Sequence, residues 1–166
     1  MEEIIFFAKN VKGEGATIVV SDIVNYLSSK KKNIYLKIIT LNNNTLNQRI
    51  KKSNNVILIK SQKLLFNHKI QRFIDILLFW TVISRKVKII TFDLPLFFFT
   101  NQILYFANLN IINFKGKSFS HALYYKVLFL LLKIGILFTK KIIVQSNFTK
   151  EDLIKKLPKI KKKIIT

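Results

Sequence analysis

The sequence predicts an α/β fold with a mainly parallel sheet and helices on both faces, and three observations lead to it. Short apolar runs rich in β-branched and aromatic residues alternate with longer stretches whose apolar residues recur at helical spacing. Most of the short runs are apolar without interruption, the pattern of strands covered on both sides. The 166 residues are half hydrophobic with only 4 Gly and 2 Pro, the composition of one packed domain of ordinary size rather than of a disordered chain.

The first run is IIFF, Ile4 to Phe7, a strand closed by the polar segment KNVKGEG. A helix follows from near Ala16, with Ala16, Val20, Ile23, Val24 and Leu27 as its apolar stripe and Ser28 to Lys32 as its exit. Ile34 to Leu41 reads as the second strand and Val56 to Ile59 as the third, joined by an Asn-rich connection with room for a short helix. Ile70, Phe73, Ile74, Leu77 and Leu78 form a further helical stripe running to about Arg85.

Val87 to Thr91 and Ile103 to Ala107 read as two more strands, with Pro95 forcing a break between them. The segment from Phe119 to Phe138 is helical in spacing and apolar nearly all round, which predicts either burial or contact with something greasy. Lys141 to Val144 is a last strand before the closing helix. For that helix Thr149 is the expected cap, with Asp152 three residues on as the acid of a capping box, Lys155 and Lys156 at its far end and Pro158 as its stop. Strands and helices in this order give a Rossmann-like architecture.

Charge narrows the function classes. Lys and Arg number 29 against 8 Asp and Glu, a net charge of +21, which suits an anionic partner such as a nucleic acid, a membrane surface or a phosphorylated substrate. Arg is confined to Arg49, Arg72 and Arg85, and Lys, Ile, Asn and Phe abound, so AT-rich coding is a second source of the same charge. The lysines are scattered and the aromatics lie in apolar runs rather than between basic residues, which argues against a nucleic-acid surface.

No cysteine is present, which excludes disulfides, thiolate nucleophiles and Cys-ligated zinc. His68 and His121 have no second histidine or acid at ligand spacing, so no metal site and no cofactor is expected. The start MEEIIFFAKNVKG has the wrong charge order for a secretory signal. The stretch Ile89 to Phe114 is long enough to span a bilayer but carries Asp93, Pro95 and several Asn and Gln, while Lys126 and Lys133 interrupt the later apolar helix. The chain is therefore expected in the cytoplasm, with broad apolar helices and lysines suited to a peripheral place on an anionic membrane face.

Candidate chemistry is sparse. KGEG, Lys12 to Gly15, lies between the first strand and first helix, where a doubly wound sheet binds ligands and where helix N-H groups can hold a phosphate. A G-x-G alone serves equally as a tight turn, and position 18 is Ile where the dinucleotide fingerprint has Gly. Glu14 places a negative charge there, so it must point away or bind a sugar hydroxyl. Ser146 has no G-x-S-x-G around it and suits a helix start, and Asp93 suits a turn as well as a cleft. No acid/base pair or triad is identifiable, so no catalytic residue is assigned.

The late segment KKIIVQSNFTKEDLIKKL resembles the N-terminal half of GT-B glycosyltransferases of the family four group. There a strand of the form d-x-I-I-V-x-S leads into x-f-s/t-k-x-x-l, then a proline and a basic strand towards the second domain. Ile142, Ile143, Val144, Ser146, Phe148, Thr149, Lys150, Leu153 and Pro158 match that pattern, and TFDLPLFFFTNQILYFANLNII is similar to the family's segment in which an l-P precedes a strand ending at the cleft.

The resemblance covers residues 1–166 and implies an acceptor-side GT-B domain. Gly13, Glu14 and Gly15 would be the loop near donor phosphates and acceptor, and Asn108 would face the cleft. The closing KIKKKIIT would begin the crossing into a nucleotide-sugar domain that these residues do not include. The family's paired glutamates seven residues apart are missing too, since the only Glu are Glu2, Glu3, Glu14 and Glu151. The implied activity is transfer of a sugar, with retention, from a nucleotide sugar to a lipid-linked or polysaccharide acceptor in cell-surface glycan synthesis, and the implied half is inactive alone. Two rival readings remain: a non-catalytic basic subunit at the membrane surface that recruits a separate catalytic chain, and a nucleic-acid-binding module.

Overall fold

The computed structural model describes residues 2–9, 11, 14–30, 33–41, 44–61, 87–96, 101–113 and 118–166. In these the strands are β1 (Glu2–Phe7), β2 (Ile34–Leu41), β3 (Val56–Ser61), β4 (Lys88–Phe92), β5 (Gln102–Phe106), β6 (Thr139–Val144) and β7 (Ile164–Ile165). The helices are α1 (Glu14–Lys30), α2 (Asn44–Arg49), α3 (Phe119–Gly135) and α4 (Asn147–Lys156). The helix expected over Ile70 to Arg85 lies outside the described residues.

The strands form one parallel seven-stranded sheet in the order β3-β2-β1-β4-β5-β6-β7, flanked by helices. This is a Rossmann-like α/β fold, as the alternation of runs predicts. By contacts the chain divides into two compact units, Met1–Asp75 with Lys86–Ile90, and Ile76–Arg85 with Thr91–Thr166.

In the first unit β1 pairs with β2 from Glu2 opposite Ile34 to Phe7 opposite Ile39, and β2 pairs with β3 from Leu36 opposite Val56. Ile4 to Phe7 are all buried, as an uninterrupted apolar run requires. The strand begins two residues earlier than the run because the acids have work at its start. Glu3 Oε1 lies 3.0 Å from Lys37 Nζ on β2, and Glu2 pairs with Lys88 at the start of β4. The third strand departs from the two-sided pattern, for Ile57 and Ile59 are exposed on what is the edge of the sheet.

The face of α1 also differs from its apolar stripe. Thr17, Val20, Ser21 and Val24 are buried, whereas Ala16 is exposed and Ile23 and Leu27 are half-buried. Two small polar residues can replace larger apolar ones there, because a hydroxyl can bond within its own helix: Ser21 Oγ donates to Ile18 O at 2.8 Å.

In the second unit β5 pairs with β6 and β6 with β7, with an irregularity between Gln102 and Ile103. The stretch Ile89 to Phe114, weighed above as a span, contains β4, β5 and a short 3-10 turn at Leu109–Ile111. Its buried amide is satisfied within the protein: Gln102 Nε2 donates to Leu96 O at 2.6 Å and its Oε1 accepts from Leu96 N at 2.8 Å. Leu128, Leu132 and Gly135 form the buried side of α3, which packs on the Leu109–Ile111 turn. The tail passes through a 3-10 turn at Pro158–Ile160 and ends in β7, where Ile164 pairs with Ile142.

The cap of α4 is Ser146, not Thr149. Ser146 is extended (φ −153°, ψ 160°) and its Oγ accepts from Thr149 N at 3.2 Å, while Thr149 is buried in the first turn. Asp152 closes no box; its Oδ2 accepts from Asn113 Nδ2 at 2.8 Å. Lys163 Nζ donates to Ile136 O at 3.1 Å, placing a cation at the last carbonyls after α3.

Candidate functional site

In a parallel sheet of this kind, ligands bind at the carboxyl ends of the strands, where loops meet helix N-termini. Each unit offers residues there.

In the first unit Glu14 and Gly15 begin α1, and Gly13 and Lys12 lie outside the described residues. Gly15 sits inside the first helical turn, and a Cβ built on it would meet nothing within 4 Å. Neither strain nor packing therefore demands a glycine at 15, and the space beside its backbone is open. The carboxylate of Glu14 is turned to α2, with Oε1 3.3 Å from Arg49 Nη2. Arg49 is itself held by Asn25, whose Nδ2 donates to Arg49 O at 3.1 Å and whose Oδ1 accepts from Lys51 N at 2.9 Å.

A feature that composition and spacing did not single out lies at the end of β2. Thr40 is buried there, and its Oγ1 donates to Asn47 Oδ1 at 3.4 Å, while Asn47 Nδ2 is buried with no partner among the described residues. An Asn in an Asn-rich connection carries no signal by itself. Only the fold brings Thr40 and Asn47 together.

In the second unit the ends of β4 and β5 are joined by Asp93. Its backbone is left-handed, φ 63°, a conformation that Asp tolerates better than most residues. Asp93 N donates to Tyr105 O at 2.8 Å, and Oδ1 accepts from Ala107 N at 3.2 Å and Asn108 N at 3.0 Å. The side-chain oxygen of Asn108 accepts from Asn110 N at 3.2 Å, capping the Leu109–Ile111 turn. Asp93 and Asn108 are thus brought together, with Asn108 half-buried and its side-chain oxygen engaged in the cap.

The phenol of Tyr105 is pushed above its ordinary value of 10.0, first by burial and then by the charge of Asp93. Its ring lies 5.8 Å from that of Phe92, tilted. His121 is exposed, with Nδ1 2.8 Å from Ser118 Oγ at the start of α3. His68 lies outside the described residues, and among the described residues no three His, Asp or Glu gather as metal ligands.

Compared with known proteins, the chain matches no protein-family model and no curated protein sequence.

Proposed function

We propose that the chain is the N-terminal, acceptor-side half of a retaining glycosyltransferase of GT-B architecture. It would transfer a sugar from a nucleotide sugar to a lipid-linked or polysaccharide acceptor in cell-surface glycan synthesis, at the cytoplasmic side of the membrane. A second domain or subunit would supply the nucleotide-sugar site.

The observation that carries the reading is the place of the matching residues in the fold. Ile142 and Val144 are buried in β6, Ser146 caps α4, Thr149 and Leu153 are buried on that helix, and Pro158 follows its end. Six positions of the pattern thus have a packing or capping role at the end of β6 and along α4, which supports the reading. Phe148 matches the pattern yet is exposed, a position the packing of this chain does not explain.

In this reading the N-H groups at the start of α1 face the donor diphosphate, and the open space at Gly15 lets it approach the backbone. Arg49 offsets the charge of Glu14 beside that place. Water-excluding closure and stabilisation of the oxocarbenium-like transition state need the second half.

The test is to purify the chain from its own cells with whatever binds it, and to supply radiolabelled nucleotide sugars and extracted lipid acceptors. Transfer with retained configuration is expected from a complex whose second chain binds the nucleotide sugar, and Gly15→Ala is expected to lower transfer without unfolding the protein. Transfer by the 166-residue chain alone would show that it is no half-enzyme. A stable complex that binds no nucleotide sugar would favour the rival reading, a non-catalytic subunit at the membrane surface.

A further inference from the structure

The structure assigns a membrane-docking face to α3. The helix and its 3-10 extension, Phe119–Phe138, bury Leu128, Leu132 and Gly135 against the fold. On the opposite side Phe119 (86% exposed), Leu123 (54%), Leu130 (55%) and Leu137 (70%) stand in water, with Val127 and Ile134 between them. The steps of three and four residues place all six on one outward stripe. A soluble helix ordinarily turns charge to that side, so this face is inverted.

Charge says what covers it. Lys126 and Lys133, both exposed, flank the stripe along one edge, and no Asp or Glu occurs between Phe119 and Phe138. An anionic bilayer surface supplies both complements, acyl chains for the stripe and phosphates for the ammonium groups. A second copy of the chain does not, because two such helices would face each other with lysines and no carboxylate.

The same residues argue for lying on the bilayer rather than crossing it. A crossing would bury Lys126 and Lys133 in hydrocarbon and pull Leu128, Leu132 and Gly135 out of the fold. The inference does not depend on the glycosyltransferase reading, since lipid binding is measured without any sugar.

The experiment is sedimentation of the full chain with vesicles of phosphatidylcholine alone, or of phosphatidylcholine with a third phosphatidylglycerol. Binding to the anionic vesicles is expected to exceed binding to the neutral ones by about tenfold or more at low salt. The variant with Leu123→Gln, Leu130→Gln and Leu137→Gln should lose most of that binding. Lys126→Glu with Lys133→Glu should remove the preference for anionic lipid. Both variants alter exposed positions, and an unchanged thermal melt shows that they fold. Equal binding to the two vesicle types, or equal binding by wild type and the triple variant, overturns the inference. So does a dimer that the triple variant dissociates while vesicle binding is unaffected.

Discussion

At the scale of single residues, Asp93 ties the end of β4 to the end of β5. One side chain accepts two backbone N-H groups after β5, and the backbone that carries it occupies the left-handed region. Asp93→Ala removes the acceptor and puts an ill-suited residue at φ 63°, for an expected loss of about 3 kcal/mol in urea unfolding. Asn accepts the same bonds and tolerates the same backbone, so Asp93→Asn should cost less than about 1 kcal/mol. Equal losses would mean that the carboxylate charge, rather than bonding and backbone, carries the effect. The neighbouring Tyr105 gives a pH dependence. Its folded pKa lies above the unfolded value of 10.0, so the unfolded chain releases the phenolic proton first and stability falls as pH rises past that value. Lysines titrate in the same range, so the quantity to measure is the difference between wild type and Tyr105→Phe from about pH 8 to about pH 11. That difference should open only above about pH 10, with wild type losing more. A flat difference would count against it.

At the scale of elements, strands were more legible than helix faces and caps. A strand announces itself by a short run dense in β-branched and aromatic residues, and β2 matches its run residue for residue even with Lys37 and Thr40 inside it. On α1 the apolar stripe finds Val20 and Val24, which are buried, and passes over Thr17 and Ser21, small polar residues buried beside them. The start of α4 differs from the expected Thr149 cap for a related reason. Thr149 and Asp152 have capping-box spacing, but so do Ser146 and Thr149, and only the end of β6 decides which serves. With Val144 the last strand residue, Ser146 falls in extended backbone and Thr149 falls inside the helix. Ser146→Ala should therefore cost about 1 kcal/mol in chemical denaturation. Asp152→Asn should cost less, because it alters an exposed contact with Asn113 and not the cap. The reverse ranking would restore Thr149 and Asp152 as the cap. Asn47 beside Thr40, and the Gln102 amide paired with Leu96, were beyond sequence reasoning altogether, since each depends on a contact between elements that no spacing rule encodes.

At the scale of the whole molecule the governing fact is a net charge of +21 on 166 residues. Glu2, Glu3 and Glu14 are already paired with Lys88, Lys37 and Arg49, and such exposed pairs contribute little each. Most of the lysines therefore repel one another across water, and this repulsion weakens as salt shortens the Debye length. Raising ionic strength should increase the urea midpoint of the isolated chain. Binding to anionic vesicles should respond in the opposite sense, because there the same lysines are attracted rather than repelled. The two measurements on one preparation separate general surface charge from a docking face: stabilisation by salt alone needs only the net charge, whereas salt-weakened binding that also disappears with the α3 leucines needs the inverted helix. A midpoint that falls with salt would mean that ion pairs such as these outweigh the repulsion, contrary to a charge balance of 29 against 8.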